Sequence, residues 1–148
     1  MREILFKGKT PTTSRWIIGY LVKEPVTCGC YIIDITDERA VRELRSTEDA
    51  EQNAYLRSTR VLQESVGQYT GLKDKTGAMI FEGDILRMDS FTPDVCEVRF
   101  IEGAFCLVFP EPGPAWPVDI HYVHHAEKPQ ATVIGNIYDD LKLLEVKS

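Results

Sequence analysis

Three groups of residues have the types and spacing to do chemistry. The first is the window VGQYTGLKDKTGAMIFEGDIL, residues 66–86, with four glycines and the carboxylates Asp74, Glu82 and Asp84. Such a window can be a metal loop, a pair of acids for proton transfer or a run of tight turns. The second is Asp119-Ile120-His121-Tyr122-Val123-His124-His125. Imidazoles at that spacing can ligate zinc, with Asp119 as a further donor, and a metal-dependent enzyme could be built on them. The third is Cys28-Gly29-Cys30, with Cys96 and Cys106 further along.

Each group has a plainer reading, which its local chemistry favours. Lys73-Asp74-Lys75-Thr76-Gly77 lies between two apolar runs. Aspartate accepts hydrogen bonds from nearby backbone amides, and glycine supplies positive φ. A hairpin connection therefore explains the carboxylate and the glycine together. Glu82-Gly83-Asp84 then turns the chain into a strand that starts ILRM. The window lacks the phosphate-loop spacing, and Gly67-Gln68-Tyr69-Thr70-Gly71 lacks that of a dinucleotide fingerprint. On a strand, His121 and His125 would share one face and His124 the other, so no ligand set is forced and exposed or partly packed histidines are expected. C-x-C is neither the redox motif nor a paired zinc knuckle. Both of its thiols are expected on one strand face, and Cys96 reads as a small core hydrophobe. No serine sits in G-x-S-x-G. These readings assign no catalytic, cofactor-binding or metal-ligating residue and no cofactor.

A fourth group concerns binding. Arg2, Lys7, Lys9 and Arg15, with Phe6 and Trp16, gather around the first expected hairpin. Basic and aromatic residues on adjacent strands can neutralise and stack a single strand of nucleic acid. A solvated rim over a packed core is the favoured reading. The net charge of −6 and pI of about 5.1 also work against a phosphate-binding surface unless a local patch overrides them.

The elements that must position these groups are short. Apolar runs recur between Gly, Pro, Asp and Asn, the pattern of a β-rich fold. REILFKGK, WIIGYLVK and CYIIDI read as strands. Trp16, Ile18, Tyr20 and Val22 fall on one face of the second, Ile17 and Leu21 on the other, so cover on both sides is expected. In contrast, 36–57 is sparse in large apolar residues and reads as a solvated excursion with a short helix, N-capped by Asp37. One hairpin can be registered directly. With Glu102-Gly103 as its turn, Phe100 faces Phe105, Val98 faces Leu107 and Cys96 faces Phe109. That face is apolar throughout, while Glu97, Arg99 and Cys106 take the other. A slip of one residue would expose the whole apolar set. Four prolines within 109–117 exclude a central strand there. Trp116 is expected to anchor that loop to the core or to a neighbouring subunit. ATVIGNIY reads as the last strand, and DDLKLLEV as a helical turn or edge strand.

A chain of 148 residues fits one domain or two very small ones and can bury a core without staples. The N-terminus MREILFKGK has no apolar h-region, and no apolar run approaches the roughly 18–20 residues that span a bilayer. A cytoplasmic setting with reduced thiols and no membrane is the expectation.

REILFKGK, the Trp strand with its Gly-Tyr step, VGQYTGLKDKTG, IFEGDIL and VIGNIYDDLKLL resemble, in order and spacing, the YopX-like proteins of phages and prophages. The resemblance runs from Arg2 to near Leu144; 36–57 and the proline loop match poorly. It implies a single YopX-like domain over 1–148, mainly β. Within it an N-terminal β-hairpin or sheet unit with the short helical excursion takes 1–60, and a small SH3-like barrel takes 61–148. It implies a homo-oligomer, with a hexamer as one form, expressed in a bacterial host cell. It carries no catalytic residues. Gly67, Tyr69, Thr70, Gly71, Asp74, Gly77, Gly83, Asp84, Gly135 and Asn136 are the matching positions and read as fold-specifying. The leading expectation is a non-enzymatic protein that self-associates and binds a protein partner, because Trp16, Tyr20 and Trp116 exceed what a small barrel must bury. A nucleic-acid-binding module is the second, and the metal-dependent enzyme on His121–His125 the third.

Overall fold

The computed structural model describes residues 2–44 and 58–145. Part of the expected excursion, 45–57, lies outside the described residues. The fold is mainly β, with two antiparallel sheets and little helix. The first sheet has the order β4-β3-β2-β1-β5-β6: β1 Phe6–Lys9, β2 Trp16–Lys23, β3 Cys30–Asp34, β4 Thr59–Val61, β5 Gly67–Lys73 and β6 Met79–Phe81. The second has the order β10-β9-β8-β7-β11: β7 Asp84–Met88, β8 Val95–Ile101, β9 Ala104–Val108, β10 Val118–Asp119 and β11 Ala131–Asn136. The chain divides into two compact units between Gln68 and Tyr69, inside β5.

In unit 1, alternation decides the sheet's faces. The register sets Lys9 opposite Trp16, Lys7 opposite Ile18, Tyr20 opposite Ile33, and Tyr31 opposite both Val22 and Arg60. These residues therefore share one face. The other face carries Ile17, Cys30, Ile32 and Val61, all buried, with Phe6, Leu21 and Val66 packed against them. Cover on both sides of β2, expected from its apolar content, forms only in part: on the face of Trp16 and Tyr20, Lys7 and Ile33 are buried. Tyr20 is 45% exposed and Trp16, Ile18 and Val22 are half-buried. Gly19 has a steric reason: a Cβ there would lie 1.7 Å from the Ile33 carbonyl oxygen. After β3, Asp37 N-caps α1 (Glu38–Leu44), its Oδ1 accepting from the N–H groups of Arg39 and Ala40, each at 3.1 Å.

Unit 2 is built on a larger core of Ile80, Leu86, Met88, Cys96, Val98, Leu107, Phe109, Val123 and Ala131. The β8–β9 hairpin takes the expected register, with Phe100 opposite Phe105 and Val98 opposite Leu107. Both turn residues, Glu102 and Gly103, have positive φ (50° and 86°), as a tight two-residue hairpin requires. Its apolar face is not buried to the tip. Phe100 is 51% exposed and meets Phe105 ring to ring at 5.0 Å. The hairpin runs past the core, so alternation continues after burial has stopped. On the opposite face Arg99 pairs with the buried Glu97 at 2.9 Å. Residues 109–117 form no strand, and 141–144 form a 3-10 turn. The sheet order has two ends, β10 and β11, so among the described residues the strands do not close the expected barrel.

Candidate functional site

Two of the three carboxylates of the Gly/Asp window, Asp74 and Asp84, are buried and accept hydrogen bonds from the backbone. Asp74 is 4% exposed. Its Oδ1 accepts from the Thr76 N–H (2.8 Å), the Thr76 hydroxyl (2.7 Å) and the Ala78 N–H (3.0 Å). Its Oδ2 accepts from the Val133 N–H at 2.8 Å. One carboxylate thus closes the β5–β6 turn and ties it to β11. Burial alone would raise the Asp74 pKa, but the Val133, Thr76 and Ala78 donors outweigh it and hold the carboxyl below its ordinary value. Gly77 (φ +85°) completes the turn, and the Gly77 N–H donates to the Asp74 carbonyl at 3.1 Å. Asp84, 2% exposed, accepts from the Phe81 N–H at 2.8 Å. Glu82 is half-buried between them in sequence. This geometry builds turns: each buried acid sits on amide donors rather than on a second carboxyl.

The other matching positions serve the same end. The Thr70 hydroxyl donates to the Ile80 carbonyl (2.8 Å) and accepts from the Leu72 N–H (3.2 Å). The Tyr69 and Phe81 rings meet at 5.6 Å. The β5–β6 register shifts between Tyr69 and Lys73, where Gly71 lies. Asn136 Oδ1 accepts from the N–H groups of Tyr138 and Asp139, each at 3.0 Å. A Cβ on Gly135 would come within 2.6 Å of Asp140 Oδ2.

The histidines stand on a 3-10 helix, Ile120–Glu127, and not on a strand. Asp119 ends β10 because its Oδ1 accepts the His121 N–H at 2.8 Å, which starts the helical turn. His121 Nδ1 lies 3.0 Å from the same oxygen, and its ring stacks on Tyr122. The N–H and ring of His121 hold the Asp119 carboxyl below its ordinary value. His124 Nε2 instead donates to the Lys73 carbonyl at 3.0 Å. These two imidazoles have separate partners; the His125 side chain lies outside the described residues. Among the described residues no three His, Cys, Asp or Glu side chains gather to hold a metal ion.

The thiols of Cys28 and Cys30 do not share a strand face. Cys28 precedes β3 with positive φ (57°) and is exposed, whereas Cys30 begins the strand and is buried. Burial pushes the Cys96 thiol up to about 12.

Three features are exposed to solvent at least in part. In unit 2, Trp116 is 70% exposed on the proline loop, so the core does not anchor it. Near the C-terminus Tyr138, Leu141 and Leu143 are 40%, 61% and 41% exposed. In unit 1, the face of Lys9, Trp16, Tyr20, Tyr31 and Arg60 is partly exposed, and the buried Lys7 beside it sets its ammonium 4.9 Å over the Trp16 ring. Phe6, grouped with these residues by sequence, packs on the opposite, core face. Sequence spacing missed Arg60 and Tyr31 because their place beside Val22 depends on pairing across 59–61.

Fold and site together define a mainly β protein in which Asp74 and Asp84 fix turns and several large aromatic side chains are exposed. The family model of the YopX protein matches residues 11–145. The chain belongs to the YopX family. No curated protein is significantly similar to it. Among solved structures it is similar to the crystal structure of protein EF1440 from Enterococcus faecalis, at 21% identity and a TM-score of 0.49 over 98% of this chain and 100% of that one. No helix of the described residues is long and apolar enough to cross a membrane.

Proposed function

We propose that this protein is a non-enzymatic, self-associating binding protein of phage or prophage type, working in the cytoplasm of a bacterial host. The observation that carries the reading is Trp116, 70% exposed on a loop stiffened by Pro110, Pro112, Pro114 and Pro117. A large ring held in water by a restrained loop loses little further entropy when a partner buries it, and tryptophan is enriched where interfaces concentrate their energy. Tyr138, Leu141 and Leu143 add exposed apolar surface within six residues of sequence. The occupant of this surface is a second copy of the chain, in a homo-oligomer for which a hexamer is one candidate; a protein partner then engages the assembled form. The acids best suited to catalysis by sequence, Asp74 and Asp84, are turned to backbone amides, which supports a binding role over an enzymatic one.

Unit 2 also supports the SH3-like reading in an open form. β7-β8-β9-β10 run as a meander, a 3-10 segment follows, and β11 returns beside β7. Small barrels with that connectivity host many binding functions.

Sedimentation over a concentration series tests the proposal. The wild type is expected to associate reversibly, and Trp116→Ala to weaken association by about 30-fold, the effect of losing a 2 kcal/mol hot spot. A strictly monomeric wild type at every concentration would sink it.

A further inference from the structure

The −6 net charge is not spread along the chain. Residues 1–68 hold ten basic and ten acidic side chains, and 69–148 hold seven and thirteen, so the excess belongs wholly to unit 2. Within unit 1 the segment 1–23 carries Arg2, Lys7, Lys9, Arg15 and Lys23 against Glu3 alone. The fold divides that charge: Lys23 lies opposite Cys30 on the core face, and Lys7 and Lys9 fall on the face of Tyr20. The strand residues that share the Tyr20 face of β1 to β4 include the half-buried Lys9, the exposed Arg60 and the buried Lys7, and no carboxylate. Glu24, just beyond β2, turns its carboxylate to its own loop, accepting from the Val26 N–H and the Thr27 N–H and hydroxyl.

At one end of this face is a cleft of about 530 Å³ lined by Thr10, Pro11, Thr12, Thr13, Arg15, Thr59 and Arg60. The β1–β2 turn shapes it. The Thr10 N–H donates to the Arg15 carbonyl (2.9 Å), and the Thr10 hydroxyl accepts from the Arg15 N–H (3.0 Å) and meets the Thr13 hydroxyl at 2.6 Å. Arg15 and Arg60 are exposed, and among the described residues neither guanidinium has an ion-pair partner. Two unpaired guanidinium forks beside threonine hydroxyls match the donors that hold phosphate oxygens. The same sheet face offers rings. Tyr31 lies opposite Arg60, and Tyr20 follows Trp16 by four residues, roughly 13 Å at about 3.3 Å per strand residue. Trp16 already carries the Lys7 ammonium, which leaves the more exposed Tyr20 ring as the platform for a base.

We infer that unit 1 binds single-stranded nucleic acid, with backbone phosphates in the Arg15/Arg60 cleft and a base stacked on Tyr20. A sheet face that interleaves basic and aromatic side chains suits unpaired bases, whose faces are free to stack; in a duplex they are not. Arg15 and Arg60 cause no fold-wide loss when changed, because no other described side chain depends on them.

Fluorescence anisotropy with a labelled oligothymidylate strand at low salt, on the full chain, tests this. The wild type is expected to bind, with affinity falling as salt rises. Arg15→Ala with Arg60→Ala is expected to lower affinity at least tenfold and to flatten the logarithmic salt slope by about 1.4, at roughly 0.7 per lost phosphate contact. Arg15→Lys with Arg60→Lys keeps the charge and most of the slope. Tyr20→Ala is expected to weaken binding by about 5- to 150-fold with the slope unchanged, the range for one base–aromatic stack. No binding at low salt, an unaltered slope in the double alanine variant, or equal affinity for a duplex of the same length would overturn the inference.

Discussion

The two units use charged side chains in opposite ways. In unit 2, Asp74 is buried beneath four hydrogen-bond donors, one of them from β11, 59 residues away. In unit 1, Arg15 and Arg60 stand exposed at a cleft with no ion-pair partner among the described residues. Both sets are charged residues beside strands and turns, and composition does not separate them. What separates them is satisfaction. A buried carboxylate that accepts from several donors of its own chain is part of the fold, while an exposed guanidinium without an ion-pair partner is available to a ligand.

The largest test of this contrast is stability. Asp74→Ala leaves four donors without an acceptor and is expected to cost about 3 kcal/mol, against no more than about 0.5 kcal/mol for Arg60→Ala. Urea unfolding with equal slopes for both variants would measure it. Equal midpoints for the two would erase the distinction.

A smaller test is pH. The folded pKa of Asp74 is below its ordinary 3.8, so its contribution is fully present above that value and is lost as pH falls through the lower, folded one. Thermal melts are expected to show wild-type stability declining on acidification below about pH 4, at the ordinary aspartate pKa, with a shallower decline in Asp74→Asn. Parallel declines in the two proteins would show that another group carries the acid sensitivity.

The smallest effect separates positions two residues apart. Cys28 is exposed, whereas Cys30, Cys96 and Cys106 are buried. A thiol reagent is expected to modify one cysteine quickly in the native protein and all four only after unfolding. Two fast thiols in the native state would mean that Cys30 is not held in the β3 core.

Local chemistry was readable at several places where a residue's partner lies nearby. The Asp74 turn, the Asp37 cap and the Glu102-Gly103 hairpin each close within a few residues, so side-chain type and spacing determined them. Asp119 also acts locally, but its effect was missed: the alternation in IHYVHH reads as a strand, and the aspartate that starts a helical turn there outweighs it. Tertiary structure decided everything that depends on distant neighbours. It set the reach of Asp74 to Val133, the exposure of Phe100 beyond the core, and the meeting of Arg15 with Arg60 across 45 residues of chain. The reason is physical: hydrogen bonds to adjacent amides are encoded by spacing, whereas burial and surface charge depend on which strands pair.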